Sequence, residues 1–242
     1  MATYVALVNE LLRRLNEVTL DTSGDGFDTV RNVQALAKDA INNSIRNINQ
    51  TGQEFPFLKT TQTQTLTAGT RQYDFPADYS GADWETFYIK KLTSVDNTPM
   101  HLPSISYEEY IQRYRHFDDT GDQTGISAPT LVYQTDELKF GVTPIPDNSY
   151  VIEYVYYKFP SDLSAFNDTA IIPDRFKHVL IDGAMMYMMR FRSNEQSAAM
   201  HQNNFEDGIK LMRRVLVDEP LRVRSTVVDR INSSNQVLGR VL

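Results

Sequence analysis

The sequence predicts an α+β fold. Helices from the two ends of the chain form one bundle, a β-rich module is inserted between them, and an extended tail ends the chain. Three observations carry this. Apolar residues recur at helical spacing over residues 3–49 and again over 171–220. Between them, 54–160 alternates Thr with Gln and aliphatic with aromatic residues, punctuated by Pro and Gly. After Pro220 neither pattern continues. The expected boundaries are 1–53 with 161–220 for the bundle platform, 54–160 for the module and 221–242 for the tail, with helices and strands segregated along the chain.

The first helix is capped by Thr3 and carries Val5, Val8, Leu12 and Leu15 as its apolar stripe. A polar stretch follows, Asp21 to Asp28. Its Asp21-x-Ser23-x-Asp25-Gly26 start has the spacing of a calcium loop. The twelfth position is Asn32, where a bidentate Glu is needed, and the eighth is Asp28, so it reads as an inter-helix loop. The second helix runs from about Phe27 to Asn49, with Val30, Val33, Ala37, Ile41, Ile45 and Ile48 inward and Gly52 ending it.

In the module, FPFLKTTQTQTLTAGTRQYDFPADY gives a strand, a turn at Ala68–Gly69 and a short strand before Pro76. TFYIKKLTSV, between Trp84 and Val95, is the next strand. Residues 105–117 form a short helix with Tyr107, Ile111 and Tyr114 on one face, and the loop DDTGDQTGISAP follows. LVYQTDELKFGV is a hairpin turning at Asp136–Glu137. SYVIEYVYYKF is a strand with Val151, Glu153, Val155, Tyr157 and Phe159 on one face and Ile152, Tyr154, Tyr156 and Lys158 on the other, both faces largely covered.

Two long helices close the bundle. Pro173 and Asp174 suit the first turn, where a missing N–H does no harm and an anion meets the positive dipole end. Phe176, Leu180, Ala184, Tyr187 and Phe191 recur along one line. Val179, Ile181, Met185, Met186, Met188 and Met189 carry apolar character round the rest, so this helix must be surrounded. After a polar turn at 192–196, the last helix is one-sided. Phe205, Ile209, Met212 and Leu216 align, and Asn203, Glu206, Lys210 and Arg213 lie elsewhere.

A chain of 242 residues can bury a sizeable core, and the absence of cysteine excludes disulfides and thiolate metal sites. The opening MATYVALVNELLRRLNEV is not a signal peptide, since Asn9 and Glu10 interrupt its apolar run. GAMMYMM falls far short of the ~20 residues of a membrane span. A soluble protein made in a cytosol, with no membrane partner, is expected. The net charge of −7 argues against wrapping nucleic acid.

The four histidines, His101, His116, His178 and His201, form no HExxH and lie near no Gly-x-Ser-x-Gly. His116 with Asp118 and Asp119 reads as a solvated turn, and Glu108–Glu109 as wet surface. No glycine-rich loop precedes a helix as a phosphate cradle. The sequence therefore predicts no enzyme, no cofactor and no metal site.

The order of elements resembles the head-to-tail adaptor (connector) proteins of tailed bacteriophages, especially the short-tailed type. Four pieces carry the resemblance: Phe55–Leu58 after the second helix, LTAGTRQYDFPADY like that family's "aGt-x-x-Y-x-l-P-x-D" hairpin, Pro129–Tyr157 around a Pro-x-Pro turn, and the helix opened by IPDRFKHVLIDGAMMYMM. It covers about residues 3–220. It implies a helical bundle bearing a β-module, in a homo-oligomeric ring of twelve beneath the portal. Such an adaptor binds the portal protein on one side and a tail or nozzle protein on the other. It extends the channel through which double-stranded DNA passes without specific binding, at the head–tail junction of the virion.

The tail is the expected portal-binding element. Leu221, Val223, Val227, Val228, Ile231, Val237, Leu238, Val241 and Leu242 have no obvious partner in the domain and, taken together, follow no clean helical or strand period. Docked in a groove they bury that surface, while Arg222, Arg224, Arg230 and Arg240, opposed only by Asp229, pair with acidic rims. The alternative is that the tail folds back on its own bundle. A different reading of the whole chain is an aromatic-platform carbohydrate- or peptide-binding module of a tail component, built on SYVIEYVYYKF and Trp84.

Overall fold

The computed structural model describes residues 2–20, 27, 32–51, 55–90, 99–116, 125–136 and 138–217. Most of the calcium-like stretch, Val30, Gly52, the pair Asp118–Asp119, Glu137 and the tail residues 221–242 lie outside the described residues.

In chain order the elements are α1 (Tyr4–Arg14), α2 (Asn32–Gln50), a 3-10 turn (Pro56–Leu58), β1 (Lys59–Leu66), β2 (Gln72–Asp74) and β3 (Tyr79–Lys90). Then come β4 (Met100–His101), β5 (Ser104–Ile105), α3 (Tyr107–Arg113), β6 (Leu131–Asp136), β7 (Lys139–Thr143) and β8 (Tyr150–Lys158). A second 3-10 turn (Asp174–Phe176) leads into α4 (Lys177–Phe191) and α5 (Glu195–Leu216). The fold is α+β, with helices from both ends of the chain flanking a β-rich region.

The helix α4 is apolar on nearly every side because it is surrounded: it packs against α1, α2 and α5. Leu11, Leu12, Ile41, Ile48, Leu180, Ile181, Phe205 and Met212 meet in one apolar cluster. Close approach depends on Gly183. A Cβ there would lie 2.3 Å from Ser44 Oγ and 2.7 Å from the Phe205 ring. Ser44 in turn donates to the Leu180 carbonyl at 2.9 Å, so a buried hydroxyl on α2 is satisfied by α4.

The apolar line of α4 leaves the core at its end: Phe191 is exposed and Tyr187 only half-buried. Thr3 occupies the cap position of α1, but its side chain makes no capping bond. The start of α1 is held instead by backbone, with the Tyr4 N–H donating to the Asp168 carbonyl at 2.7 Å. The Asn9 amide fixes the chain beyond α1, bonding both the N–H and the carbonyl of Leu20.

Glu10 ties α1 to α4. It accepts from Arg14 at 3.2 Å and from Lys177. Burial pushes its carboxyl up, but the Lys177 ammonium and the Arg14 guanidinium outweigh this and hold it below the ordinary value of 4.5. A carboxyl depressed in the folded state stabilises above its unfolded pKa, and that contribution is lost as pH falls through the folded value. Glu10→Gln is therefore expected to cost less than about 1 kcal/mol near neutrality. It should also flatten the fall of melting temperature below about pH 4.5, which melts across a pH series would read.

The β-rich region is a sandwich of two four-stranded sheets, ordered β1-β8-β3-β4 and β2-β7-β6-β5. All pairs are antiparallel except β5 with β6. Its core is separate from the helical one and unusually aromatic. Phe75, Phe87, Phe140 and Tyr154 pack edge-to-face or stacked, with Leu66, Val132, Val142 and Ile152 around them.

Several expectations are corrected here. LTAGTRQYDFPADY is not a hairpin: β1 pairs with β8 and β2 with β7, so the turn joins the two sheets. The Tyr73 hydroxyl holds that turn, donating to the Thr70 carbonyl at 2.7 Å and accepting from the Thr67 N–H at 3.0 Å. β3 begins at Tyr79, well before Trp84.

β8 is buried along one face, and on the other only at Tyr157, which packs into the helical core. Ile152, Tyr154 and Tyr156 fill the sandwich, whereas Val151, Glu153 and Val155 are half-buried on its outer side and Phe159 is exposed. In α3 the buried residue is Tyr110. Tyr107 and Ile111 face solvent, because Tyr110 stacks on Tyr133 of β6 at 3.9 Å and accepts a bond from Arg71 at 3.0 Å. Gly141, directly opposite Tyr133, leaves room for that ring: a Cβ there would lie 2.3 Å from it.

Candidate assembly surfaces

Among the described residues no group of three or more His, Cys, Asp or Glu could hold a metal ion, and no helix is long and apolar enough to cross a membrane. The ionisable residues in the interior do structural work. His201 Nδ1 lies 3.1 Å from Asp182 Oδ1, linking α5 to α4, and Arg14 of α1 stands 3.8 Å from the same carboxylate. His101, by contrast, is exposed and contacts the Glu85 carbonyl at 3.1 Å.

The tyrosines of β8 do not form a platform. Burial and the adjacent Asp78 push the Tyr156 hydroxyl up to about 12, and burial raises that of Tyr154. Both therefore stay neutral, and Tyr156 donates to Asp78 at 2.9 Å.

What the fold leaves over is surface of three kinds. The first is apolar. On α5, flanking the buried face of Phe205, Gly208 and Met212, the residues Met200, Leu211 and Val215 lie on one side of the helix, exposed to 55%, 42% and 52%. Phe191, at the end of α4, is exposed to 59%. Leu211 and Val215, one turn apart at the end of α5, are the closest-set of these and form a candidate contact surface. The sequence signal was present in the spacing of 200, 211 and 215, which the more obvious line of Phe205, Ile209, Met212 and Leu216 masks.

The second is a cleft of about 1080 Å³ where α2 meets the sandwich, lined by Ile45, Arg46, Asp78, Lys158, Phe159 and Asp162 among others. Arg46 spans it in a two-pronged bond to Asp162, through Nε at 2.8 Å and through Nη2. Deeper in, Asn42 bonds both the N–H and the carbonyl of Leu163 at 3.1 and 3.0 Å, fixing how the chain re-joins the helices. The third is a sheet edge. β1 pairs over its whole length with β8 and has no strand on its other side among the described residues.

Exposed apolar side chains, a cleft and an open sheet edge are the surfaces this chain offers to other chains. Residues 2–224 match the family model of the SU10 adaptor protein. The chain belongs to the SU10 adaptor family. It is a phage adaptor, a structural protein of the virion. No curated protein matches it.

The SU10 adaptor match runs past Pro220 to take in Leu221, Arg222, Val223 and Arg224, and leaves 225–242 outside it. The tail residues picked out from sequence, Leu221 to Leu242, all lie outside the described residues, so none of them is brought to a site here.

Proposed function

We propose that this adaptor binds the portal ring through residues 221–242 and joins it to a tail or nozzle protein. It does so as a homo-oligomeric ring of twelve that extends the channel for double-stranded DNA at the head–tail junction, after synthesis in the host cytoplasm. In this reading 1–53 and 161–220 are the platform, 54–160 a projecting module and 221–242 the arm. The observation that carries it is apolar surface to spare in a member of an adaptor family: Met200, Leu211, Val215 and Phe191 stand exposed on one chain. Neighbouring subunits in a ring would cover them.

An arm of alternating charge and aliphatic bulk costs about 1–2 kcal/mol of backbone entropy per ordered residue, so only a long contact offsets it. Repetition round a ring then multiplies modest single-chain affinities. The purified full chain is expected to be monomeric or weakly associated, and to form closed rings when mixed with its portal, as particle images would show. Deleting 221–242 should leave the melting temperature unchanged and abolish portal binding. A stable ring at low concentration without the portal, or portal binding by the deletion, overturns the respective part of the reading.

A further inference from the structure

The rim of the sandwich carries a groove that the assembly reading does not use. Two adjoining clefts, of about 600 and 260 Å³, meet at Trp84 and Gln134. The larger continues to Ser106, Tyr107 and Asp136, the smaller to Tyr79 and Leu138. Both strands that frame the groove are irregular here. The register of β3 on β8 slips between Asp83 and Tyr88, and that of β6 on β7 slips between Gln134 and Asp136. Trp84 and Thr135 thus sit where a ladder skips, and bulges re-aim side chains and end pairing beside binding sites.

Trp84 is held from behind, stacked on Phe87 at 5.2 Å and edge-on to Phe75 at 6.0 Å. Opposite it, β6 pairs with β5 only at Val132 and Tyr133. From Gln134 to Asp136 that edge has no strand partner among the described residues, because the chain after Ile105 turns into α3. Thr135 Oγ1 is buried without a hydrogen-bond partner among the described residues. The Asp136 carboxylate makes no ion pair among them either, although it is exposed.

We propose that this groove takes an extended peptide segment of a partner protein. The segment adds as a short strand to the open edge of β6 and lays an arginine or lysine between Trp84 and Tyr107, its charge toward Asp136. Each part of the site matches one part of that ligand. An unpaired strand edge supplies main-chain donors and acceptors at strand spacing. Two aromatic faces attract a cation, and the free carboxylate fixes its sign. Two clefts in line suit several residues at about 3.3 Å each, where a lone sugar ring would fill only one. The inference stands on the module's geometry and does not need the ring or the arm.

Trp84 is the only tryptophan in the chain, so its emission reports on the groove directly. Full-length protein is titrated with acetyl-Thr-Val-Arg-Val-Thr-amide. The expected result is a saturable change in emission, with affinity reduced about fivefold in Asp136→Asn and about tenfold or more when the peptide's Arg is replaced by Glu. Methylating alternate peptide nitrogens should abolish binding in one register and spare it in the other, the signature of strand pairing. An unchanged melting temperature in Asp136→Asn shows that the variant folds. No saturable change, equal affinity in Asp136→Asn, tolerance of methylation in both registers, or a response to cellohexaose in place of the peptide overturns the proposal.

Discussion

Phe205→Ala should lower the stability of the protein by about 3–5 kcal/mol, the cost of removing a fully buried aromatic ring from a core that cannot collapse around the gap. Phe205 is 3% exposed and lies where α5 meets α4 at Gly183, with α2 close behind. Three helices therefore lose contacts at once. For a chain of this length the loss corresponds to a melting temperature lower by on the order of 10 °C. Denaturant melts give the free energy directly, and an unchanged midpoint would mean that this face of α5 does not carry the helical core.

The second large effect is expected from adding volume at the same point. Gly183→Val places a branched side chain where even one carbon would lie 2.3 Å from Ser44 Oγ and 2.7 Å from Phe205. Ser44 is pinned by its bond to Leu180, so it cannot rotate away without abandoning a buried carbonyl. Overpacking and the lost hydrogen bond together are worth about 3 kcal/mol or more. Gly81→Ala is the control, since a Cβ there meets nothing within 4 Å. Combining Gly183→Ala with Phe205→Ala should give less than the sum of the two, because removing the ring relieves one of the two clashes. Strict additivity would show that the ring and the glycine do not meet.

The helical part was legible because its signals are local. An apolar surface all round α4 has one explanation, a helix enclosed by others, and α1, α2 and α5 enclose it. The stripe of Ala37, Ile41, Ile45 and Ile48 likewise faces inward as its spacing requires. The sandwich was less legible because its partners are far apart in sequence. Thr61 sits opposite Val155 and Tyr73 opposite Phe140, and no pattern within 59–75 separates two strands that pair with each other from two that leave for different sheets.

In α3 the residue types were read correctly and the face was not. Tyr107, Ile111 and Tyr114 have the better helical spacing, but Tyr133 and Arg71, distant in the chain, make Tyr110 the buried one. The groove beside Trp84 was invisible for the same reason. It is made by two interruptions of register, and register is a property of pairs of strands.

The sandwich is attached to the helices in a way that bears on how such a protein changes over generations. Lys59, at the start of the first strand, lies opposite Tyr157, near the end of the last. The chain leaves the helices and returns to them across the width of one strand pair, about 5 Å. Seen from the helical core, everything between is a closed loop whose length weighs only logarithmically on stability. Of the described residues in that loop, Tyr157 alone contributes to the helical cluster. A replacement for the loop would have to fold on its own, return to the same point and supply an apolar ring in place of Tyr157 to leave the helix packing as it is. The point of attachment thus constrains an inserted sequence at two strand ends and one aromatic ring, and at no other place in the helical cluster among the described residues.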